Sequence, residues 1–447
     1  NKAGKLKAWA GILSALLLLG LSFYLAARHL QGQDQKMGDL RSRASSYIGH
    51  HHSPGIYPHG AVISESGRDL LLDGGNVVDA GVGTALCLAL VHPHETGLGA
   101  AFWALFHNSS SNQTVALTPA PAQALAPGLG MPGALPALHL LHRNLGHLPW
   151  SRLLAATIAL AQDGFSIDKA LAEALAKRDA AGQATGLCPL LCYPNGTVLG
   201  QGAHVTNQGL AAVLQRAAQA PEMDVSEALL HPLAEDLFLK EPLQGMMPTL
   251  EPALQIALPQ GLLFTTPSPT AGELLLKVLR NPLQAGGLTS DPCPGFLAAA
   301  AAPVGSILAA MDREGSVLLL ASSLNSTFGS GWLSPSTGIL LSDFGGGSQI
   351  ASWACPALLC CGPEGDVLAL AASGGSSAPL AMAKTLLSYL AAPLPDAITQ
   401  PQLQIQVQWG PSQPGASNPE ALLLVTTHAE HVRATGVPAS YYPSRGH

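Results

Sequence analysis

The chain is poor in charge. Of its 447 residues only 11% are Asp, Glu, Lys or Arg, and the formal net charge is −7. That excludes a polybasic nucleic-acid binder, whose affinity comes from neutralising phosphates. Seven cysteines are too few for a disulfide scaffold, although one or two bridges remain open. The 48 glycines and 35 prolines fall below the share of roughly 25–30% that marks low-complexity chains. An apolar content of 47% is too high for intrinsic disorder and supplies a large packed core. Defining motifs are missing as well. There is no GxSxG elbow and no HExxH, so the α/β-hydrolase and zincin readings fail. Two glycine-rich stretches, Phe344-Gly-Gly-Gly-Ser348 and Ala372-Ser-Gly-Gly-Ser376, match neither GxGxxG nor GxxxxGK[ST], which leaves nucleotide binding without support.

What is present begins with a long apolar run. From Ala8 to Ala27 the chain carries no charge, over the length a helix needs to cross about 30 Å of hydrocarbon. A cleaved signal peptide fits less well, because Leu25 stands where a small residue is wanted and the run outlasts a typical h-region. The reading is a cytoplasmic tail at 1–7, a transmembrane signal anchor at 8–27 and a polar stalk at 28–55. Flanking charge does not orient the span, since Lys2, Lys5 and Lys7 face Arg28, Lys36, Arg41 and Arg43. Sequons at Asn108, Asn112, Asn195 and Asn325, with Cys188 and Cys192 in one short loop, favour a luminal or extracellular body, hence a single-pass type II membrane protein. The two cysteines suit a disulfide, a pair of buried thiols or half a metal site. His50, His51 and His52 resemble a metal tract but define no geometry.

Beyond the stalk, periodicity predicts an amphipathic helix around Arg68–Leu72 and an almost wholly apolar, hence buried, helix through Leu90, capped by Asn76 or Asp79. Strands are expected over 101–117 with a turn near 108–113, and helices over 134–215. Short apolar runs at 306–320, 340–341, 356–359 and 367–372 read as buried strands, followed by a helix at 378–392 and strands at 403–409 and 422–427. This order predicts an α+β protein built in layers rather than βαβ repeats.

Gly67-Arg-Asp69, Asp73-Gly-Gly-Asn-Val-Val-Asp-Ala80, Gly97-Leu-Gly99, Leu148-Pro-Trp150, Ala161-Gln-Asp-Gly-Phe165, Pro267-Ser-Pro269, Ser322-Ser-Leu-Asn325, Phe328-Gly-Ser330, Ser334-Pro335, Cys355-Pro356 and Gly374-Gly375 occur in the order seen in γ-glutamyltransferases. The chain resembles the divergent, membrane-anchored members of that family over about residues 56–390. The resemblance implies a four-layer αββα N-terminal-nucleophile hydrolase fold, preceded by one transmembrane helix. It also implies autoproteolysis into a large-subunit region, 56–305, and a small-subunit region, 306–447. The implied activity is removal of the γ-glutamyl group from glutathione and its conjugates through an enzyme ester, without a cofactor. It implies further that Cys188 pairs with Cys192.

The family's nucleophile is a Thr made N-terminal by self-cleavage, with its own amine as base. The matching position here is Gly305, and Ser306 follows it. Ser306 is therefore the candidate nucleophile, reached by a one-residue slip that a β-bulge would have to absorb. Ser323 and Asn325 match the hydroxyl and amide that support nucleophile and substrate, while Gly374 and Gly375 match the oxyanion hole, where absent Cβ atoms let substrate approach backbone N–H groups. Asp343 and Ser352 are the surviving substrate-binding positions. The family's carboxylate-binding Arg is missing from 118–121, and Trp353 replaces a hydroxyl. Each lost charge-assisted bond weakens binding by about 1.5–3 kcal/mol. Two functions follow: a γ-glutamyl hydrolase/transferase, or a non-catalytic cell-surface glycoprotein that keeps the fold for binding or pairing.

Overall fold

The computed structural model describes residues 47–50, 66–121, 123–220, 225–239, 243, 245, 247–280, 304–312, 315–345, 355–361, 366–373, 378–391, 421–428 and 431–437. Among them no helix is long and apolar enough to cross a membrane; the predicted span at 8–27 lies outside the described residues.

Residues 66–72 are helical, as the periodicity predicts. Helix α1, Val77–Val91, is buried along all of its length, as a helix apolar on every side must be. Both candidate caps act together. The Asn76 side chain accepts from the Val78 and Asp79 N–H groups, and Asp79 accepts from the Asn76 N–H at 2.9 Å, closing a capping box. Asp79 also accepts from the His147 and Leu148 N–H groups, which ties the turn before Trp150 to the start of α1.

The first sheet takes four strands from the first two thirds of the sequence: β1 (Tyr47–His50), β2 (Ala101–Asn108), β3 (Gln113–Thr118) and, after two minor pairs, β8 (Thr249–Pro252). The minor pairs are β4 (Ala124–Ala126) with β5 (Leu129–Gly130), and β6 (Phe165–Ser166) with β7 (His204–Val205). With β11 (Val304–Met311) and β12 (Val317–Asn325) these four build one sheet in the order β1-β11-β12-β2-β3-β8. A second sheet runs β16-β15-β14-β13-β10-β9, from β9 (Leu254–Leu258), β10 (Gly261–Thr265), β13 (Ala357–Cys361), β14 (Asp366–Ser373), β15 (Ala421–His428) and β16 (His431–Val437). Neighbouring strands in both are antiparallel.

Alternation along the strands sets the layers. Ile307, Ala309, Met311 and Leu319 of the first sheet pack against Phe264, Leu358, Val367 and Ala369 of the second. Leu308, Ala310, Leu318 and Leu320 turn the other way, into a core shared with α1, α2 (Ala134–Leu145) and α3 (Trp150–Asp163). On the far side Leu263, Leu359, Leu368 and Leu370 meet α8 (Gly272–Arg280) and α9 (Ala378–Ala391). Next in the chain, α4 (Lys169–Ala180), α5 (Cys188–Leu191), α6 (Gln208–Gln219) and α7 (Glu227–Asp236) pack into the same core as α1–α3. The stack is helices, sheet, sheet, helices.

One local reading changes. Leu340 and Leu341 form no strand; they make isolated bridges to Leu333 and to Gly99. Gly99 permits that bridge, because a Cβ there would sit 2.1 Å from the Leu340 carbonyl oxygen. Strands β1, β8, β9, β10 and β16 were not anticipated, and β1 falls inside the segment read as a stalk. The expected strand at 403–409 lies outside the described residues. Regions 56–305 and 306–447 are interleaved rather than side by side, because each contributes strands to both sheets.

Candidate active site

β11 and β12 pair as central neighbours, with an irregular register between Val304 and Ser306. The extra residue is on β12, where Ser323 and Leu324 stand against Gly305 alone, so β11 itself carries no added residue to absorb a one-residue slip. From Ser306 onward pairing is regular, and Ser306 stands opposite Ser322. Ser306 shares the helix-facing side with Leu308 and Ala310; Ser323 shares the other side with Leu319. The structure therefore does not bring the Ser306 and Ser323 side chains together. The place beside Ser323 belongs to Gly305: a Cβ there would lie 3.5 Å from the Ser323 Cβ and 2.5 Å from the Ser322 carbonyl oxygen.

Beneath the helix-facing side lies a polar nest made by the loop after α1. Ser306, 2% exposed, donates from Oγ to Glu95 Oε2 at 3.3 Å. The other carboxylate oxygen of Glu95 is 3.5 Å from His94 Nε2. Thr96 Oγ1 and Ser322 Oγ share a hydrogen bond of 2.7 Å, and the Phe328 N–H donates to the His94 carbonyl at 3.0 Å, so the loop is pinned to β12 and to the turn after it. His92 Nε2 meets Asp168 Oδ2 at 2.8 Å, and Asp168 caps α4 by accepting from the Leu171 N–H. Burial raises the Asp168 carboxyl, but the hydrogen bond and charge of His92 with the Leu171 N–H outweigh it and hold the group at about 2. Sequence reasoning passed over Glu95, His94 and Thr96. Their signal was the run His92-Pro-His-Glu-Thr96 directly after a helix with no polar face.

A second polar feature follows β12. The Asn325 N–H donates to Ser323 Oγ at 2.8 Å, and Asn325 takes a left-handed conformation, φ 78°, that reverses the chain. Ser326 Oγ donates to Asp343 Oδ2 at 2.6 Å and to the Gly329 carbonyl at 3.1 Å, while the Ser326 N–H reaches Asp343 Oδ1 at 3.3 Å. Ser323, Asn325 and Asp343 are thus brought into one turn, with Asp343 bracing it. Gly374, Gly375 and Ser352 lie outside the described residues, as do His51 and His52; His50 ends β1.

Asn112 and Asn195 are exposed and Asn108 is half-buried at the end of β2. Asn195 Oδ1 accepts from the N–H and the hydroxyl of Thr197. Cys188 and Cys192 form a disulfide. Cys87 is a buried free thiol between Ser66 and Thr157, pushed up from its usual value by burial. Among the described residues no group of three or more His, Cys, Asp or Glu is placed to hold a metal ion.

Two sheets thus face one another between helical layers. The crystal structure of cephalosporin acylase from Bacillus halodurans shares this fold, with a TM-score of 0.61 at 18% identity over 77% of this chain and 80% of that one. The Gamma-glutamyltranspeptidase family model matches residues 63–282. Glutathione hydrolase 6 of Homo sapiens is 53% identical over 452 residues, spanning 100% of this chain and 90% of the human protein; the Mus musculus protein of the same name is 50% identical over 459 residues, spanning 100% and 90%. The chain belongs to the gamma-glutamyltranspeptidase family.

Proposed function

We propose that this chain is a γ-glutamyl hydrolase and transferase acting on glutathione and related γ-glutamyl compounds, anchored by residues 8–27 with its body outside the cytosol. The observation that carries the reading is the Gly305-Ser306 peptide near the head of a central strand, its hydroxyl already held by a carboxylate. It is supported by full-length likeness to proteins named Glutathione hydrolase 6.

Ser306 Oγ attacks the Gly305 carbonyl, an N-to-O shift turns the amide into an ester, and water releases Ser306 as a new N-terminus. The freed amine then takes the proton of its own hydroxyl as that hydroxyl attacks the γ-glutamyl carbonyl. A γ-glutamyl ester forms, the amine product leaves, and water or an acceptor amine discharges the ester. Ser323 and Asn325 support the substrate, the N–H groups near Gly374 and Gly375 receive the oxyanion, and Asp343 and Ser352 bind the glutamyl α-substituents. Interleaved sheets would keep the two pieces associated after the cut.

A second reading has its own observation. Ser306 and Ser323 face opposite sides of the sheet, which favours a chain that keeps the fold for binding only.

Expression of the full chain in human cells separates the readings. The expected result is a fragment running from Ser306 to His447, hydrolysis of γ-glutamyl anilides, and a mobility shift on glycosidase treatment from Asn108, Asn112 or Asn195. Ser306→Ala should leave the chain whole. An uncut, inactive wild-type chain would leave the binding reading standing.

A further inference from the structure

Ser306 is a buried hydroxyl, and burying a hydroxyl is costly without a partner. On a strand of apolar neighbours the bland solution is a bond to a nearby backbone carbonyl. Here the acceptor is instead the Glu95 carboxylate, brought from 211 residues away by the loop after α1. That loop is fixed at several points: Thr96 to Ser322 on one side, the His94 carbonyl to the Phe328 N–H on the other, and an internal bond from the Thr96 N–H to the His92 carbonyl. Glu95 is thereby held against the hydroxyl before any reaction, which is what a proton acceptor needs. Its second oxygen lies 3.5 Å from His94 Nε2, and the His94 ring is itself buried.

We propose that Glu95 is the proton acceptor for chain cleavage at Gly305-Ser306, with His94 as a positioning residue. The inference rests on the cleavage step proposed above and names the base for it, because the Ser306 amine is still tied up in the peptide bond and cannot serve. The Ser306 Oγ–H proton passes to the Glu95 carboxylate as Oγ bonds to the Gly305 carbonyl carbon. When the carbon–nitrogen bond breaks, Glu95 returns the proton to the leaving nitrogen, giving an ester and a free amine. Water then splits the ester into the Gly305 carboxylate and the Ser306 hydroxyl. Glu95 ends as it began. The bulge between Val304 and Ser306 fits this role, since an irregular ladder leaves the scissile peptide less firmly held than the residues after it.

The test follows cleavage of full-length precursor over time for wild type, Glu95→Gln and Glu95→Ala, with and without added formate. General base catalysis typically supplies about 10²–10⁴-fold, so Glu95→Gln should slow the appearance of the Ser306 terminus by at least about 100-fold. Formate should restore cutting in Glu95→Ala but not in Ser306→Ala. Unchanged thermal unfolding of Glu95→Gln excludes misfolding as the cause; if that variant does not fold, formate rescue of Glu95→Ala decides. Cutting of Glu95→Gln at the wild-type rate, or failure of formate to rescue a folded Glu95→Ala, overturns the role of Glu95 and leaves the proposed function intact. A wild-type chain that never cuts overturns both.

Discussion

The two polar regions on either side of the β11–β12 pair are built in opposite ways. On the helix-facing side, Ser306, Ser322, Thr96 and Glu95 meet through partners more than 200 residues apart. On the other side, Ser323, Asn325, Ser326 and Asp343 are joined within one turn, by bonds spanning at most 17 residues. The first carries the candidate nucleophile, and the second carries the residues that match substrate support. Under the proposed function, cutting the chain and recognising a γ-glutamyl group would depend on separate pieces of this molecule, so they could be damaged separately.

The sharpest test of that separation sets Ser306→Ala beside Ser323→Ala and Asp343→Asn. Ser306→Ala should abolish the cut. The other two should leave the cut in place and lower kcat/KM on a γ-glutamyl anilide about 10- to 100-fold, as the loss of one hydrogen bond to a charged group, about 1.5–3 kcal/mol, implies. Equal damage to cutting by all three would break the comparison.

A smaller effect is expected at the outer edge of the helix-facing nest. Asp168 is held at about 2 in the folded chain against an ordinary 3.8. A depressed carboxyl contributes stability that is full above the unfolded value and is lost as pH falls from about 4 towards 2; the amount is about 2 kcal/mol. Asp168→Asn should lose about that much at neutral pH and show a flatter stability profile in the acid range, measured by urea unfolding at several pH values. An unchanged profile would remove Asp168 from the account.

The smallest effect concerns a bridge remote from both regions. Cys188 and Cys192 close a loop of so few residues that the unfolded chain loses little freedom, about 2 kcal/mol at most. Replacing both by Ser should lower the unfolding midpoint slightly and leave both cutting and turnover unchanged.

Much of the fold was legible because it rests on local chemistry. The α1 helix announces itself by a nearly unbroken apolar run behind a Gly-Gly-Asn start, and Asn76 with Asp79 forms the expected cap. The hairpin of β2 and β3 follows from alternation around a polar turn. Strands β8 and β9 did not stand out, since their pattern is diluted by Pro252 and by residues that remain half exposed. At the site, Ser323-Leu-Asn325 was legible as a motif, whereas Glu95 was not: a lone acidic residue in a loop says nothing about what lies across from it.

By itself the sequence determined the layered α+β character, the family, the buried central helix and the short cysteine loop, because each depends on composition or on residues close along the chain. Only the tertiary structure decided which face of the sheet each serine takes. Side chains alternate with a period of two, and the extra β12 residue between Ser322 and Asn325 decides which β12 side chains stand beside the head of β11. It also decided that Glu95 meets Ser306, since that contact exists only when the loop after α1 and the head of β11 are brought together by the packing of α1 on the sheet.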